Sequence, residues 1–461
     1  MKKRPLYILA ICLLVASCAR PLCKDRFEDV ADYFMEPGAA DSTEVDHGHE
    51  IHGDGWDMTF EDFKRLADRE YALGVNSMCQ HYFGATPYSP WWDDLKLLND
   101  HMARLSLALS KGEQLNDGKA VFRDSGRGEL HHHRRSFRDG ELIFLANSSL
   151  EENASGAVML PGKALLAMDT FTGEITRRPA EMPGKGMVRI SYDIPPAGHL
   201  LYFVARSRAR ARKWPAAVER AAKALQPVKP LGDIEVERWN NNYLPLVALD
   251  TFSTDDIKVR YKFYVKSCLC SAHPLFICEK PDLWEVSLNG KTIKPIKGLH
   301  QLDSRDGCYD TMGLVHDGEN IIELHGSTMS LTDGIPYAFI AGDFNVIPDS
   351  KTGWRLVPAE TPGLGSWSSQ GMPFYSWDVA YRRQFEVPEE VGERVLRLGK
   401  WKGTVCEVWV NDEKAGLIFL KPYELNIGKF LKPGENQVEV ICVGSRPGAD
   451  YGLYEEFTID S

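Results

Sequence analysis

The sequence predicts a multidomain, mainly β protein with a short helical segment towards its N-terminus. Three observations predict it. Apolar runs of strand length, separated by turn residues, begin near residue 129 and continue to the end of the chain. A strand, an Asn turn and then a Gly-Glu-Asn turn recur twice in the same order. Apolar residues at clear helical spacing occur between residues 57 and 112.

Lys2, Lys3 and Arg4 precede a short apolar run, residues 6–15, which leads into Ala16-Ser17-Cys18. Positive charge, a short apolar core and small residues before a cleavage point mark a signal peptide over 1–17. A Cys directly after Val-Ala-Ser fits a lipobox, so Cys18 is expected to carry lipid. That chain would be exported, to the periplasm or the outer membrane, and would meet the membrane only through its anchor. Residues 19–55 are polar and rich in Asp, Glu, His and Gly. Thr59 is then a good N-cap with Asp62 three residues on. Phe60, Phe63, Leu66, Ala67 and Tyr71 recur at helical spacing, and Gly74 ends the helix. Residues 75–79 read as a short strand. Residues 91–109 read as a second amphipathic helix, with Leu95, Leu98, Met102, Leu105 and Leu109 on one face.

Strands are expected next over 141–147, 157–160, 164–168, 188–192 and 200–204. They make a small β domain over 120–229, which ends in a basic, Ala-rich helix or linker at 206–229. The run His131-His132-His133-Arg134-Arg135 reads as the exposed start of a strand. Two tandem β-sandwiches are expected over 232–349 and 352–461. The first holds Val286-Ser287-Leu288-Asn289-Gly290 and later Gly318-Glu319-Asn320. The second holds Val408-Trp409-Val410-Asn411-Asp412 and later Gly434-Glu435-Asn436. Asn and Gly tolerate the positive φ that such turns need.

Composition bounds the partners. The chain has 461 residues and a net charge of −11, which argues against nucleic acid as a partner. Its 11 Trp and 17 Tyr are compatible with sugar binding, because flat rings stack on sugar faces. The 10 cysteines form no C-x-x-C pair and match no zinc spacing. Cys442, within Val440-Ile441-Cys442-Val443, reads as a buried free thiol. Asp46, His47, His49, Glu50, His52 and Asp54 cluster in sequence, but His49-Glu50-Ile51-His52 is not the helical zinc-protease pattern, so no metal is expected there.

The run from Trp409-Val410-Asn411-Asp412 through Ala415-Gly416, Pro422-Tyr423-Glu424-Leu425-Asn426-Ile427 and Gly434-Glu435-Asn436 resembles the galactose-binding-like jelly-roll module of large glycoside hydrolases. The resemblance extends to the rhamnosidase-type enzymes, glycoside hydrolase family 106 and its relatives. It is carried by Glu50 to Asp57, Gly74-Val75-Asn76, His81, Pro90-Trp91-Trp92, Arg104-Leu105-Ser106, Thr172-Gly173-Glu174, Leu244-Pro245-Leu246 and Ala341-Gly342-Asp343-Phe344. It implies a partial (β/α) barrel-like segment over 24–115, the remnant of a catalytic barrel that takes about 250 residues when complete. The sandwiches would then be galactose-binding-like jelly rolls.

Glycoside hydrolysis needs two carboxylates flanking the scissile bond. The resemblance makes Glu50 the candidate acid or base, with Asp57 or, less well, Asp54 as the second carboxylate. It makes His81, Asn76 and Trp56 candidate substrate contacts. Trp367, Phe374, Tyr375, Trp377 and Trp401 are candidate stacking rings. Relatives can bind calcium, although no EF-hand-like loop is present to hold it. Three readings stay open: a glycosidase acting on rhamnose-type sugars, a non-catalytic carbohydrate-binding lipoprotein, and a structural remnant of a barrel enzyme.

Overall fold

The computed structural model describes residues 26–35, 48–52, 58–81, 89–116, 120–184, 186–217, 225–249, 257–267, 269, 272–326, 334–445 and 448–460. Cys18, Asp46, His47, Asp54, Trp56 and Asp57 lie outside them. The fold is multidomain and mainly β. Among the described residues no helix is long and apolar enough to cross a membrane. The chain forms two compact units. One comprises Met1–Gly53, Glu61–Tyr82 and Leu95–Ala221; the other comprises Asp54–Phe60, Phe83–Asp94 and Ala222–Ser461.

In the first unit the helices are α1 (Phe27–Met35), α2 (Phe60–Ala72) and α3 (Leu95–Ser110). Strands β1 (Gly48–His52) and β2 (Ser77–His81) pair in parallel, with α2 as the connection between them. Gly74, at φ +113°, ends the turn after α2 where an L side chain would be strained. A six-stranded antiparallel sheet and a four-stranded sheet follow. Strand Gly140–Asn147 is buried along its whole length. Ile143 and Leu145 pack between the sheets with Val158, Leu160, Val188 and Ile190. Leu142 lies on the opposite face, in register with Phe203, whose ring stacks on Phe27 of α1 at 3.8 Å. A strand covered on both sides needs an unbroken apolar run, and Leu142-Ile143-Phe144-Leu145-Ala146 supplies it.

The basic run at 131–135 departs from expectation. His133, Arg134 and Arg135 are buried. Each has a partner that offsets its desolvation. Arg134 meets Glu141 at 2.6 Å, His133 Nδ1 lies 2.8 Å from the Tyr71 carbonyl, and Arg135 donates to the carbonyls of Lys111 and Gly112 just beyond α3.

The second unit holds two sandwiches. In the first, strands such as Leu275–Glu279 and Ala338–Gly342 face a six-stranded sheet containing Ile257–Val265 and Gly318–Gly326. Phe276, Ile340, Tyr261, Phe263, Ile322 and Leu324 fill the space between them. The second is built on β3 (Lys229–Arg238), β4 (Asp378–Val387), β5 (Val405–Val410), β6 (Glu413–Ile418) and β7 (Gly434–Val443), in the spatial order β3-β4-β7-β5-β6. The strand boundaries differ from those expected at 232 and 352. Strand β3 precedes the first sandwich in sequence yet pairs with β4 of the second, Val236 opposite Tyr381. Gly353–Pro358 instead closes a hairpin with Phe344–Asp349 in the first. The Asp349 carboxylate holds that turn, accepting from the backbone N–H of Lys351 and Thr352.

The recurring Asn motifs form the same hydrogen-bonded lock in both sandwiches. Asn289 Nδ2 donates to Asn320 Oδ1 at 2.9 Å, and Asn411 Nδ2 donates to Asn436 Oδ1 at 2.9 Å. The first Asn of each pair also accepts the N–H that follows its partner, from Ile321 and Gln437. The second Asn ties down its own loop through the carbonyls of His316 and Gly318, or of Lys432 and Gly434. Asn289 and Asn411 sit at φ +51° and +50°, a left-handed conformation that Asn tolerates. Asn436 forms three of these contacts and also accepts from the Lys432 N–H while 2% exposed, so Asn436→Ala is expected to cost about 2–4 kcal/mol in urea unfolding of this unit. Asn411→Gly should be less harmful than Asn411→Ala by about 1 kcal/mol, because only glycine keeps the backbone relaxed.

Candidate functional site

The expected catalytic and substrate residues are distributed as follows. Glu50 lies on β1 opposite Cys79 of β2, and His52 lies opposite His81, the last pair of the ladder. His81 therefore lies at the carboxyl end of this parallel pair, and Glu50 at the middle of its ladder. Asn76 does not join them. It precedes β2 at the amino end and is 1% exposed, a buried residue rather than a substrate contact. Two expected stacking rings are also corrected. Trp367 and Tyr375 are 1% exposed and belong to the core of the second sandwich, with Trp367 Nε1 donating to Tyr381. Trp377 and Trp401 pack against that core, and Phe374 packs against that of the first sandwich.

Chemistry-bearing side chains that sequence reading passed over converge in the first unit. Lys64 and Asp68 come from α2, His101 from α3, Thr170 from the turn after Ala164–Met168, and His199 from the start of His199–Ala205. Lys64 Nζ donates to Asp68 Oδ2 at 2.6 Å and to the Ala197 carbonyl at 2.7 Å. His101 Nε2 lies 2.7 Å from Asp68 Oδ1, and its Nδ1 lies 2.7 Å from Thr170 Oγ1. Thr170 Oγ1 is 2.7 Å from His199 Nε2, and His199 Nδ1 closes the ring 3.5 Å from Asp68 Oδ2. With Asp68 ionised and both imidazoles neutral, one proton arrangement serves all three short contacts. His101 Nε2–H donates to Asp68, the Thr170 hydroxyl donates to His101 Nδ1, and His199 Nε2–H donates to Thr170. The fourth contact then has no proton, which matches its greater length.

Burial holds His101 below the usual imidazole pKa and His199 well below it, against the pull of Asp68. Burial alone would raise Asp68, but Lys64 and the two histidines together hold it well below the carboxylate range. Asp68, His101 and His199 offer ligand atoms within 4.8 Å of one another. The shortest approach is already spanned by a hydrogen bond, and the Lys64 ammonium occupies one carboxylate oxygen, where it would repel a cation. The cluster is self-satisfied and braces α2, α3 and the sheet. A sequence signal for it existed: Lys64 and Asp68 fall among Phe60, Phe63, Ala67 and Tyr71, on the apolar stripe of α2. Arg104 of the Arg-Leu-Ser motif braces the same turn, donating to the carbonyls of Thr170 and Phe171.

The second unit presents an accessible constellation on the outer face of the β3-β4-β7-β5-β6 sheet. Ladder register sets Arg382, Glu439, Trp409 and Lys414 in one cross-strand row. Glu237, Ala380, Ile441 and Glu407 make the adjacent row. Trp239 follows β3. Trp239 Nε1 donates to Glu237 at 3.1 Å, and Trp409 Nε1 donates to Glu407 at 2.7 Å. Arg382 bonds both Glu439 and Glu237 and lies 5.6 Å from the centre of the Trp239 ring. Lys414 bridges Asp94 at 2.6 Å and Glu407 at 3.1 Å. These groups surround a groove of about 350 Å³ whose lining includes both indoles, Asn411, Gln437 and Ile441. A larger depression of about 640 Å³, beside Pro281 and Pro295, has no Trp, Tyr or Phe in its lining. Burial and the charge of Glu407 raise both Asp94 and Asp378 to about 7. Asp378 Oδ1 is buried without a hydrogen-bond partner, the condition in which a carboxyl retains its proton.

Opposite pH responses are expected in the two units. Depressed imidazole values mean that unfolded His101 and His199 bind protons the folded state refuses, so stability of the first unit falls as pH drops below about 6.5. Raised carboxyl values mean that folded Asp94 and Asp378 hold protons the unfolded state has released, so the second unit loses stability as pH rises from about 4 to 7. Asp378→Asn should gain on wild type between pH 5 and 8, read by hydrogen exchange at β4. Asp68→Ala strands the Lys64 ammonium in the interior and should cost about 3–5 kcal/mol, read by exchange of the α2 and α3 amides.

Compared with family models and with curated proteins, the sequence finds no match in either. Among solved structures, it overlaps a rhamnosidase from Novosphingobium sp. PP1Y at 12% identity and a TM-score of 0.45, covering 88% of this chain and 46% of that one. The α-L-rhamnosidase of Streptomyces avermitilis, solved with L-rhamnose, is 11% identical at a TM-score of 0.22, covering 68% and 37%. A gamma-CGTase from alkalophilic Bacillus clarkii is 11% identical at a TM-score of 0.21, covering 89% and 52%. The chain spans about half the length of these proteins or less. Overlaps at TM-scores below 0.5 do not establish a shared fold.

Proposed function

We propose that this chain is a carbohydrate-active protein, a glycoside hydrolase of rhamnosidase type. The supporting observation is the parallel pair β1–β2, joined through α2, with Glu50 at the middle of its ladder and His81 at its carboxyl end. Enzymes built from βα units carry their catalytic groups at that end of the strands. In this proposal Glu50 is the acid or base, Asp57 the second carboxylate of a two-carboxylate hydrolysis, and His81 and Trp56 contact the sugar. Export as a lipoprotein anchored through Cys18 belongs to the same proposal.

A second reading, carbohydrate binding without hydrolysis, draws on a different observation. The groove between Trp239 and Trp409 is accessible and combines aromatic faces with amides.

The test is an assay of residues 24–461 against 4-nitrophenyl α-L-rhamnoside, with Glu50→Gln alongside. Turnover in wild type and a loss of about 10²-fold or more in Glu50→Gln is expected, the share that general acid–base catalysis contributes. A folded wild type without turnover on aryl rhamnosides and rhamnose-containing polysaccharide would overturn the hydrolase reading.

A further inference from the structure

We propose that the groove on the outer face of the C-terminal sandwich binds one neutral sugar residue of a glycan, stacked against Trp409 and Trp239. The inference deepens the carbohydrate reading and does not depend on Glu50 or on hydrolysis.

Each wall is a held indole. Trp239 and Trp409 both donate their N–H to the glutamate two residues earlier, Glu237 and Glu407. Glu407 and Trp409 are two residues apart on β5 and so share a face, while Trp239, one residue beyond β3, is tied back to Glu237 by its own N–H. Such a bond fixes the ring in advance of a ligand and lowers the entropy lost on binding. Trp239 remains 44% exposed, so its ring is accessible to a ligand. Between the walls lies Ile441, opposite Ala380 on one side and Glu407 on the other, an apolar patch for a sugar's C–H face in a floor that also carries Glu439. Gln437 at the rim carries an exposed amide that can donate and accept, as sugar hydroxyls require, while Asn411 beside it is held in the lock with Asn436.

Charge selects the class. Glu439 and Glu237 are both satisfied by Arg382, and Glu407 by Lys414 and the Trp409 N–H. No cation in this set is left over for a uronate or a sulfate, and a carboxylate ligand would face Glu407, Glu439 and Asp412 in the lining. A neutral pyranose meets no such cost. At about 350 Å³ the groove stands at the small end of the ~300–1,000 Å³ range of small-molecule sites, which suits one sugar ring rather than a long chain.

The test titrates L-rhamnose, D-galactose and D-galacturonate into residues 24–461, followed by calorimetry and tryptophan fluorescence. Variants Trp409→Ala, Trp239→Ala and Trp409→Phe are titrated beside wild type. Saturable binding of a neutral sugar is expected, weakened about tenfold or more in either alanine variant and less in Trp409→Phe, which keeps a ring. Galacturonate should bind more weakly than the neutral sugars. Circular dichroism checks the fold of each variant, and Trp409→Phe keeps the test open if Trp409→Ala does not fold. No saturable binding of any neutral sugar, equal affinity in all variants, or preference for galacturonate would overturn the proposal. Hydrolysis of 4-nitrophenyl α-L-rhamnoside is measured on the same samples. Turnover without groove binding sinks this inference and leaves the hydrolase reading standing; groove binding without turnover does the reverse.

Discussion

The buried ion pair of Lys64 and Asp68 constrains the first unit more than any other contact described. Both side chains are almost fully removed from water. Such a pair is tolerated only when its remaining donors and acceptors are met. Here the obligation draws in the Ala197 carbonyl, His101, Thr170 and His199, which arrive from separate parts of the chain. The position of α3 against α2 and the course of the turn after Met168 follow from it. Apolar contact alone would let these elements slide, whereas a ring of directed hydrogen bonds fixes one arrangement.

The second unit puts charge to a different use. Its carboxylates lie on a sheet face, within reach of water, and are balanced across the ladder by Arg382 and Lys414. Their hydrogen bonds orient two indoles instead of bracing a core. Glutamate thus serves opposite ends in the two units: Glu141 neutralises the interior Arg134, while Glu237 and Glu407 aim aromatic rings outward. Neither role can be assigned from residue type, because only the ladder register reveals what lies opposite.

Much of the fold was legible in the sequence. Turn chemistry at Asn289-Gly290 and Asn411-Asp412 announced the paired sandwiches, and the stripe of Phe60, Phe63, Ala67 and Tyr71 announced α2. Strand ownership was not legible: β3 reads as an alternating strand wherever it pairs, and only a distant partner decides. The candidate site was less legible still. Trp367 and Tyr375 look like stacking rings in sequence, yet both are core, whereas the exposed Trp239 sits in a polar stretch, Arg238-Trp239-Asn240, with no periodicity to mark it. Lys64 and Asp68 could have been found as charges on an apolar stripe. His199 could not, since its partners all lie far away in the chain.

The course of β3 has a bearing on how the C-terminal sandwich comes into being. That strand leaves the ribosome before the whole first sandwich and pairs with β4 only after that sandwich has been made. Until then it waits as a bare edge, with Trp239 at its tip. A fragment beginning at residue 352 would keep the other strands of the sheet but expose β4, whose open N–H and C=O groups invite pairing with another chain. It would also lack one wall of the groove. The two sandwiches are therefore interlaced by sequence, and a cut between them would separate neither cleanly.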